Sequence, residues 1–326
     1  MSKVSLILPV YNGSQGIVRC LNSIIRQSYE NFDLLIIDDG SNDDSSEIIE
    51  TYLDKLEKKI RCKIKFLRQE NQGVSRTRNI GIQMVDGEWI GFIDQDDYIS
   101  RDYIKKYVLS IQNSEKSGYK VDVLVGGYDR VADNGKVIRH EVLKGKNWDK
   151  YVVVSPWAHL YRRQFLIDNN IYFLETKIGE DVFFNLKAYA HTDHIIVLKN
   201  NCGYKWVFNS SSVSNSKQNR VTEQNDPSLL LNAIIKMYRE DEGIKTPYAE
   251  QEYYITRYVV WYCIFTFKDS KRKEHKKREK ELFWLLKSYY PKYYKNKHLW
   301  RKIEGEPLKI YLAVTGYLLL HSVGLV

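Results

Sequence analysis

The chain has 326 residues, enough for two domains or for one large domain with an extension. Apolar residues make up 43% and charged residues 28%, which excludes wholesale disorder. The net charge is +9, but residues 268–302 alone carry fourteen Lys/Arg against four Asp/Glu, so the rest is close to neutral and a nucleic-acid-binding fold with positive charge across its main body is excluded.

Val4–Leu8 is a short apolar run closed by Pro9, the pattern of a buried strand. Ile17, Leu21, Ile24 and Ile25 then share one face of a helix over 17–29. Leu34–Ile37 is a second buried strand that runs into Asp38-Asp39-Gly40-Ser41. A helix follows, with Ser41 or Asn42 as the expected cap and Asp43 and Asp44 in its first turn. Ile64–Leu67 is a third strand, residues 74–85 a helix, and Trp89–Ile93 a fourth strand ending in Asp94-Gln95-Asp96-Asp97. Val121–Val125 is a fifth strand, and Ser100 or Asp102 could begin the helix before it. Residues 128–222 read as less regular, with a Gly179-Glu180-Asp181 turn and a Ser/Asn-rich stretch at 209–219.

From about 223 the pattern is helical. The expected inner stripes are Leu229, Leu230, Ala233, Ile234 and Met237, then Tyr253, Tyr254, Tyr258, Trp261, Tyr262 and Phe265, then Leu282, Trp284, Leu285 and Leu286. Leu308–Val326 is the nearest approach to a spanning segment, but Lys309, Thr315 and His321 interrupt it. The N-terminus lacks the layout of a signal peptide. Cys20, Cys62, Cys202 and Cys263 have no zinc or redox spacing, so reduced thiols in a cytosolic protein are expected.

Strands separated by single helices call for right-handed crossovers and a mainly parallel sheet, which binds ligands at the carboxyl ends of its strands. Two strands end in carboxylates, so both acidic clusters belong at one sheet edge. Asp94, Asp96 and Asp97 repel one another unless a cation sits among them, and Mg²⁺ or Mn²⁺ shared with substrate phosphates would meet that need. A solvated acidic turn is the other reading. Asp38-Asp39-Gly40-Ser41 is open in the same way, between a structural cap and a reader of a nucleobase or ribose.

Read together, the pieces are specific. Pro9-Val10-Tyr11-Asn12, Ser23 to Tyr29, Ile37 to Asp43, Asn71 to Asn79 and Gly87 to Asp97 occur in that order. The series resembles the family 2 nucleotide-sugar glycosyltransferases over residues 3–103. It continues more loosely through Ser155-Pro156-Trp157-Ala158-His159, Gly179-Glu180-Asp181 and Tyr204-Lys205-Trp206.

The resemblance implies a GT-A fold with a mainly parallel central sheet and flanking helices. It implies a glycosyltransferase domain over 1–222, nucleotide-binding over 1–103 and acceptor-binding and catalytic over 104–222; beyond it the helical pattern itself marks 223–326 as a helical C-terminal extension. Pro9, Tyr11 and Asn12 would line the nucleobase pocket, with Tyr11 stacking on uracil or another base and Asp39 bonding the base edge. Arg76, Arg78, Gln95 and His159 would contact the nucleotide sugar, although family members often have Lys or Arg where His159 stands. Asp94 and Asp96 would divide the ribose and Mn²⁺ or Mg²⁺ between them, with Asp97 a further metal candidate. Asp181 matches the catalytic base of inverting members, and Glu180 could share that role. Trp157 is either a core residue or a platform for the acceptor sugar.

The implied reaction moves a sugar, with inversion, from a nucleotide-sugar donor of UDP type to a hydroxyl of a lipid-linked oligosaccharide or polysaccharide, in capsule, exopolysaccharide or cell-wall glycan synthesis. Homodimerisation is compatible with it. A sugar nucleotidyltransferase would need a Gly-rich loop where Pro9-Val10-Tyr11-Asn12-Gly13 stands, and a dehydrogenase would need G-x-G-x-x-G. A non-catalytic nucleotide-sugar-binding module is the remaining alternative. The basic segment at 268–302 interleaves Lys/Arg with Trp284 and Trp300, a composition suited to the anionic inner face of the cell membrane. A solvated helical hairpin with a Tyr-rich core is the other reading.

Overall fold

The structure is a computed structural model. The structure describes residues 2–176, 179–208, 226–265 and 272–324. Two compact units are present, one made of Met1–Glu175 and Asp193–Asn209, the other of Thr176–Thr192 and Ser210–Val326.

The first unit is built on a seven-stranded sheet. Its strands are β1 (Val4–Val10), β2 (Phe32–Asp38), β3 (Ile64–Arg68), β4 (Trp89–Phe92), β6 (Val123–Val125), β9 (His159–Arg162) and β10 (Ile195–Val197), in the order β10-β6-β9-β4-β1-β2-β3. Every residue of β1 is buried. That is why VSLILPV is continuously apolar rather than alternating: a strand covered on both faces has no wet side. β1 pairs in parallel with β2 and with β4, and β2 with β3. The helices α1 (Ile17–Ile25), α2 (Ser45–Asp54), α3 (Lys58–Arg61) and α4 (Val74–Met84) supply or accompany these crossovers.

One central strand escaped the sequence reading. β9 lies between β4 and β6 and runs antiparallel to both. Four residues, two of them His and Arg, give neither an apolar run nor an alternation long enough to register. A second sheet, ordered β5-β11-β7-β8, was also unforeseen. It contains β5 (Tyr98–Ile99), β11 (Tyr204–Val207), β7 (Tyr128–Val131) and β8 (Val137–Glu141). The region read as irregular thus contributes short strands to both sheets, alongside the helix Glu180–Ala190 and other helical turns.

Two capping expectations also change. α2 begins at Ser45, and Asp44 at its N-cap makes no side-chain cap bond. The Ser41 hydroxyl instead turns back to Asp38. α5 (Tyr103–Lys116) follows Asp102, but that carboxylate accepts the Ser28 hydroxyl rather than capping the helix.

The second unit is helical. After α6 (Arg163–Asp168), which belongs to the first unit, it comprises α7 (Glu180–Ala190), α8 (Pro227–Glu240), α9 (Tyr248–Phe265), α10 (Arg272–Tyr289), α11 (Lys297–Trp300) and α12 (Leu308–Ser322). Asp226 caps α8 by accepting the Ser228 N–H, with Pro227 in the first turn. The boundary expected near 222 and the Ser/Asn-rich stretch lie outside the described residues, while α7 groups with the C-terminal helices. Leu229, Trp261, Phe265 and Trp284 were read as inner residues, yet all four are exposed. A purely apolar stripe does not distinguish a core face from a wet aromatic one. No helix among the described residues is long and apolar enough to cross a membrane.

Candidate active site

In β1 and β2 the register pairs Val10 with Asp38, and β1 and β4 pair Ile7 with Phe92. The carboxyl ends of the three strands therefore open on one edge, and the loops after them carry Tyr11, Asp39 and Asp94–Asp97.

The loop after β1 is held by side chains of its neighbours. The Asn12 N–H donates to Ser41 Oγ at 3.0 Å, Gly13 N–H to Ser45 Oγ at 2.8 Å, and Ser14 N–H to Asp43 at 3.1 Å. Asn12 sits at φ 52°, and its side-chain oxygen accepts the Asn42 N–H. Asn tolerates the left-handed region better than most residues. On this frame Tyr11 is exposed and free to take a flat ligand on its ring. Pro9 is buried within β1 and presents no open surface to a ligand.

Gln95 does something that sequence reading did not anticipate. Its side-chain oxygen accepts the Tyr11 N–H at 2.7 Å, and its side-chain nitrogen donates to the Tyr11 carbonyl at 2.9 Å. The amide thus clamps the Tyr11 backbone instead of facing outward to a ligand. A Cβ at Gly13 would fall 2.4 Å from Gln95 Oε1, so only glycine admits the clamp.

Asp38 and Asp39 differ sharply from a solvated turn. Asp38 is fully buried and accepts Ser41 N–H and Oγ–H, with Ser46 Oγ on its other oxygen and Arg68 Nε at 3.4 Å. Asp39 accepts Gln69 Nε2–H at 2.8 Å, Gln72 N–H at 2.9 Å and Gly73 N–H at 2.8 Å. It therefore fixes the loop that leads into α4. Gly40 is at φ 75°, where a Cβ would also meet the Asn71 nitrogen at 2.8 Å. Gln69 carried no signal in the sequence; only the fold brings it to Asp39.

The four residues after β4 point in different directions. Asp94 is paired with Arg78 at 2.8 Å, and Arg78 is buried with its guanidinium over the Phe173 ring. Arg78 thus positions Asp94 rather than reaching out from an exposed face. Arg76, two residues earlier, is exposed. Asp97 was expected as a metal candidate, and the structure corrects this. It is 1% exposed, and its oxygens accept Tyr204 Oη–H at 2.7 Å and Val207 N–H at 2.8 Å. Burial pushes its carboxyl well above the usual range, with Asp96 and Asp94 adding to the effect. Tyr204 also accepts the Asp94 N–H at 3.2 Å, so this tyrosine braces the acidic loop.

Asp96 is half-buried, and no side-chain hydrogen bond or ion pair holds its carboxylate among the described residues. Its pKa is raised by burial and then by Asp94, with its own backbone N–H and the Arg19 charge acting the other way. Arg19 braces its backbone, donating from Nη2 to the Asp96 carbonyl at 2.8 Å. Among the described residues no group of three or more His, Cys, Asp or Glu could hold a metal ion unaided. Mg²⁺ characteristically takes one or two carboxylates and completes its shell from water and substrate phosphates. Asp96 with Asp94 beside it fits that mode, and Asp97 does not.

His159 does not reach a ligand-facing surface. It is fully buried in β9, with Nδ1 at 2.7 Å from the Trp157 carbonyl and its ring stacked on Tyr161. Burial lowers its pKa to about 4. Acid should therefore destabilise the fold through this ring. The unfolded imidazole takes up a proton near its ordinary value, whereas the folded one resists to about 4, so its stabilisation is present above about pH 6.5 and lost as pH falls toward about 4. The full loss is about 3 kcal/mol. Urea melts at about pH 7 and about pH 4.5 should show a larger drop for the wild type than for His159→Gln. Equal drops would show that the buried ring is not the acid-sensitive group.

Trp157 is a core residue. It is buried and stacks on Tyr204 at 4.5 Å and 8°, with Tyr128 edge-on at 4.8 Å. A covered face cannot serve as a sugar platform. In the second unit, Glu180 and Asp181 occupy the first turn of α7 after Gly179, and both are half-buried.

Comparison with known proteins places this arrangement. The profile of "Glycosyl transferase family 2" matches residues 5–169, half of the chain. The chain belongs to glycosyl transferase family 2. The glycosyltransferase GlyA of Streptococcus pneumoniae is 28% identical over 216 residues, covering 60% of this chain and 29% of that protein. The poly(ribitol-phosphate) beta-N-acetylglucosaminyltransferase TarS of Staphylococcus aureus is 31% identical over 214 residues, 63% of this chain and 35% of that protein. The chain thus spans about a third of the length of these curated relatives. A crystal structure of TarS 1–349 in complex with UDP-GlcNAc superposes with a TM-score of 0.72 at 21% identity, covering 99% of this chain and 92% of that one. This family 2 chain therefore has the GT-A fold, with a mostly parallel central sheet, flanking helices and C-terminal helices.

Proposed function

We propose that this family 2 chain is an inverting glycosyltransferase that takes a sugar from a UDP-sugar and places it on a hydroxyl of a lipid-linked or polysaccharide acceptor in bacterial surface-glycan synthesis. The observation that carries the reading is the single sheet edge whose loops carry the exposed Tyr11, the loop-fixing Asp39, the Arg78-held Asp94 and the half-buried Asp96. Tyr11 offers a ring to the base. Arg76 offers a cation to the diphosphate. Asp96, with Asp94, would hold Mn²⁺ or Mg²⁺, which when bound offsets charge on the departing diphosphate.

Inversion is a single in-line displacement at the anomeric carbon. The acceptor hydroxyl is a poor nucleophile until a carboxylate takes its proton. Asp181 is our assignment for that base, with Glu180 its adjacent alternative. No covalent intermediate is needed, and a nucleoside diphosphate leaves without a general acid, so the second flanking carboxylate of a glycosidase has no counterpart here. A protein of this kind would work at the inner face of the cell membrane, with the cations of 268–302 drawn to anionic lipid.

The reading is tested by melting the protein with a panel of nucleotide sugars, with and without Mn²⁺ or Mg²⁺. A bound donor raises Tm by mass action. Protection by a UDP-sugar that is lost in EDTA is expected, whereas no protection by any nucleotide sugar would overturn the assignment.

Gln95 gives a separate prediction. Replacing it with alanine removes two hydrogen bonds that fix the Tyr11 backbone, each worth about 1 kcal/mol. UDP affinity, measured by titration calorimetry, should fall about 10-fold, on the scale of one such bond. Unchanged affinity would mean that the clamp does not order the base pocket.

A further inference from the structure

The last described helix is held to its unit by one side and leaves the other bare. On α12, Val314 is buried, and Ile310, Ala313 and Val314 line a narrow apolar cleft against Val260, Trp261 and Ile264 of α9. Tyr317 donates to Glu279 of α10 at 2.5 Å, and His321 stacks on Phe283 with centroids 3.9 Å apart. On the opposite side, Leu308, Leu312, Leu319 and Val323 recur at i, i+4, i+11 and i+15, one stripe at helical spacing. They are 60%, 57%, 67% and 63% exposed. Soluble surfaces rarely leave an apolar stripe of this kind uncovered.

Cations gather at the same end of the chain. Trp300 is 80% exposed just before the helix, Arg301 and Lys302 beside it are exposed, and Lys309 lies in the first turn. The Tyr311 hydroxyl donates to the Leu299 carbonyl, which ties this Trp and Arg/Lys group to the start of the stripe. On α10, Lys273, Lys277, Lys280, Trp284 and Lys287 also share one exposed helical face.

We propose that α12 is an interfacial helix that lays Leu308, Leu312, Leu319 and Val323 into the surface of an anionic bilayer, with the surrounding cations contacting lipid phosphates. This deepens, and rests on, the membrane-surface reading above. There the attraction was electrostatic and seated on 268–302; here the apolar anchor is a different segment. Charge decides between lipid and a second copy of the chain. Joining two such ends would bring like-charged Lys/Arg groups together, whereas an anionic lipid surface complements them. Apolar stripe, flanking Trp and Lys/Arg together are the composition of helices that lie in the interface.

The test uses the full-length chain and vesicles of phosphatidylcholine with anionic phosphatidylglycerol. Three proteins are compared by co-sedimentation at low and high salt: wild type, Leu312→Glu/Leu319→Glu, and the milder Leu312→Ser/Leu319→Ser. The replaced leucines are exposed, so melting temperature should not fall. We expect wild-type binding to weaken but persist at high salt, and both doubles to lose at least about 10-fold in partitioning, since each leucine transferred from water is worth roughly that factor. Lys277→Glu/Lys280→Glu should weaken binding at low salt only. If wild type binds and the leucine doubles bind equally well, the assignment of α12 fails while the membrane reading stands. If wild type ignores the vesicles at low salt, both fail. If light scattering shows wild type as a dimer and the doubles as monomers, a second copy covers the stripe and the proposal is overturned.

Discussion

Replacing Asp96 with asparagine is expected to lower sugar transfer at least about 10²-fold while leaving the fold intact or slightly firmer, the scale seen when one preorganised charge-stabilising group is lost. The two effects have one origin. Burial and the nearby Asp94 raise the Asp96 carboxyl above its ordinary value, so the folded protein holds this charge at a cost. A raised carboxylate pKa means that the native state binds its proton more readily than the unfolded chain. The ionised group therefore detracts from stability above its unfolded pKa. Asparagine keeps the shape and removes that cost, along with the negative charge that would face a divalent ion. Donor turnover and Tm should be measured on the same preparation. Lost activity with an unchanged or raised Tm supports the assignment; full activity in excess EDTA would sink it. Asp97→Asn should behave differently. That residue is buried and bonded to Tyr204 and Val207, so its replacement should disturb the fold rather than chemistry alone.

The second large effect is expected at Asp181. Asparagine there preserves size and removes the proton acceptor, so turnover should fall by about 10²-fold or more with donor affinity nearly unchanged, the range for a general base. The measurement is a kcat and Kd pair, because a purely structural role would move both. A crippled Glu180→Gln beside a mild Asp181→Asn would shift the base by one residue. Their adjacency in the first turn of α7 makes that comparison decisive, since the two side chains leave the helix about 100° apart.

Much of the fold was legible because parallel strands covered on both faces must be apolar throughout. Val4–Leu8, Leu34–Ile37, Ile64–Leu67 and Trp89–Ile93 were each found within a residue or two of their strands for that reason, save that β1 and β2 run on by two residues at an end. The two acidic clusters followed from the strand ends, and their shared edge followed from parallel topology. The helices 17–25, 45–54 and 74–84 followed from a 3.6-residue period.

The direction in which each site side chain points was not legible. A run of Asp94, Gln95, Asp96 and Asp97 looks like a single acidic patch, yet partners distant in sequence sort it. Arg78 takes Asp94, the Tyr11 backbone takes Gln95, and Tyr204 with Val207 takes Asp97, leaving the Asp96 carboxylate without a side-chain partner among the described residues. His159 and Trp157 read as candidate contacts because polarity and aromaticity say nothing about which strand hides them. β9 buries the histidine, and Tyr204 covers the tryptophan. Trp284 and Trp261 misled in the opposite sense, as apolar residues that the helices turn outward. Sequence alone determined the parallel sheet and the edge where the acidic loops gather, because local apolar patterning and strand order encode them; the ordered motifs from Pro9 to Asp97 carried the resemblance to the family. Only the tertiary structure decided which carboxylate stays available, because that depends on hydrogen-bond donors brought from up to 110 residues away.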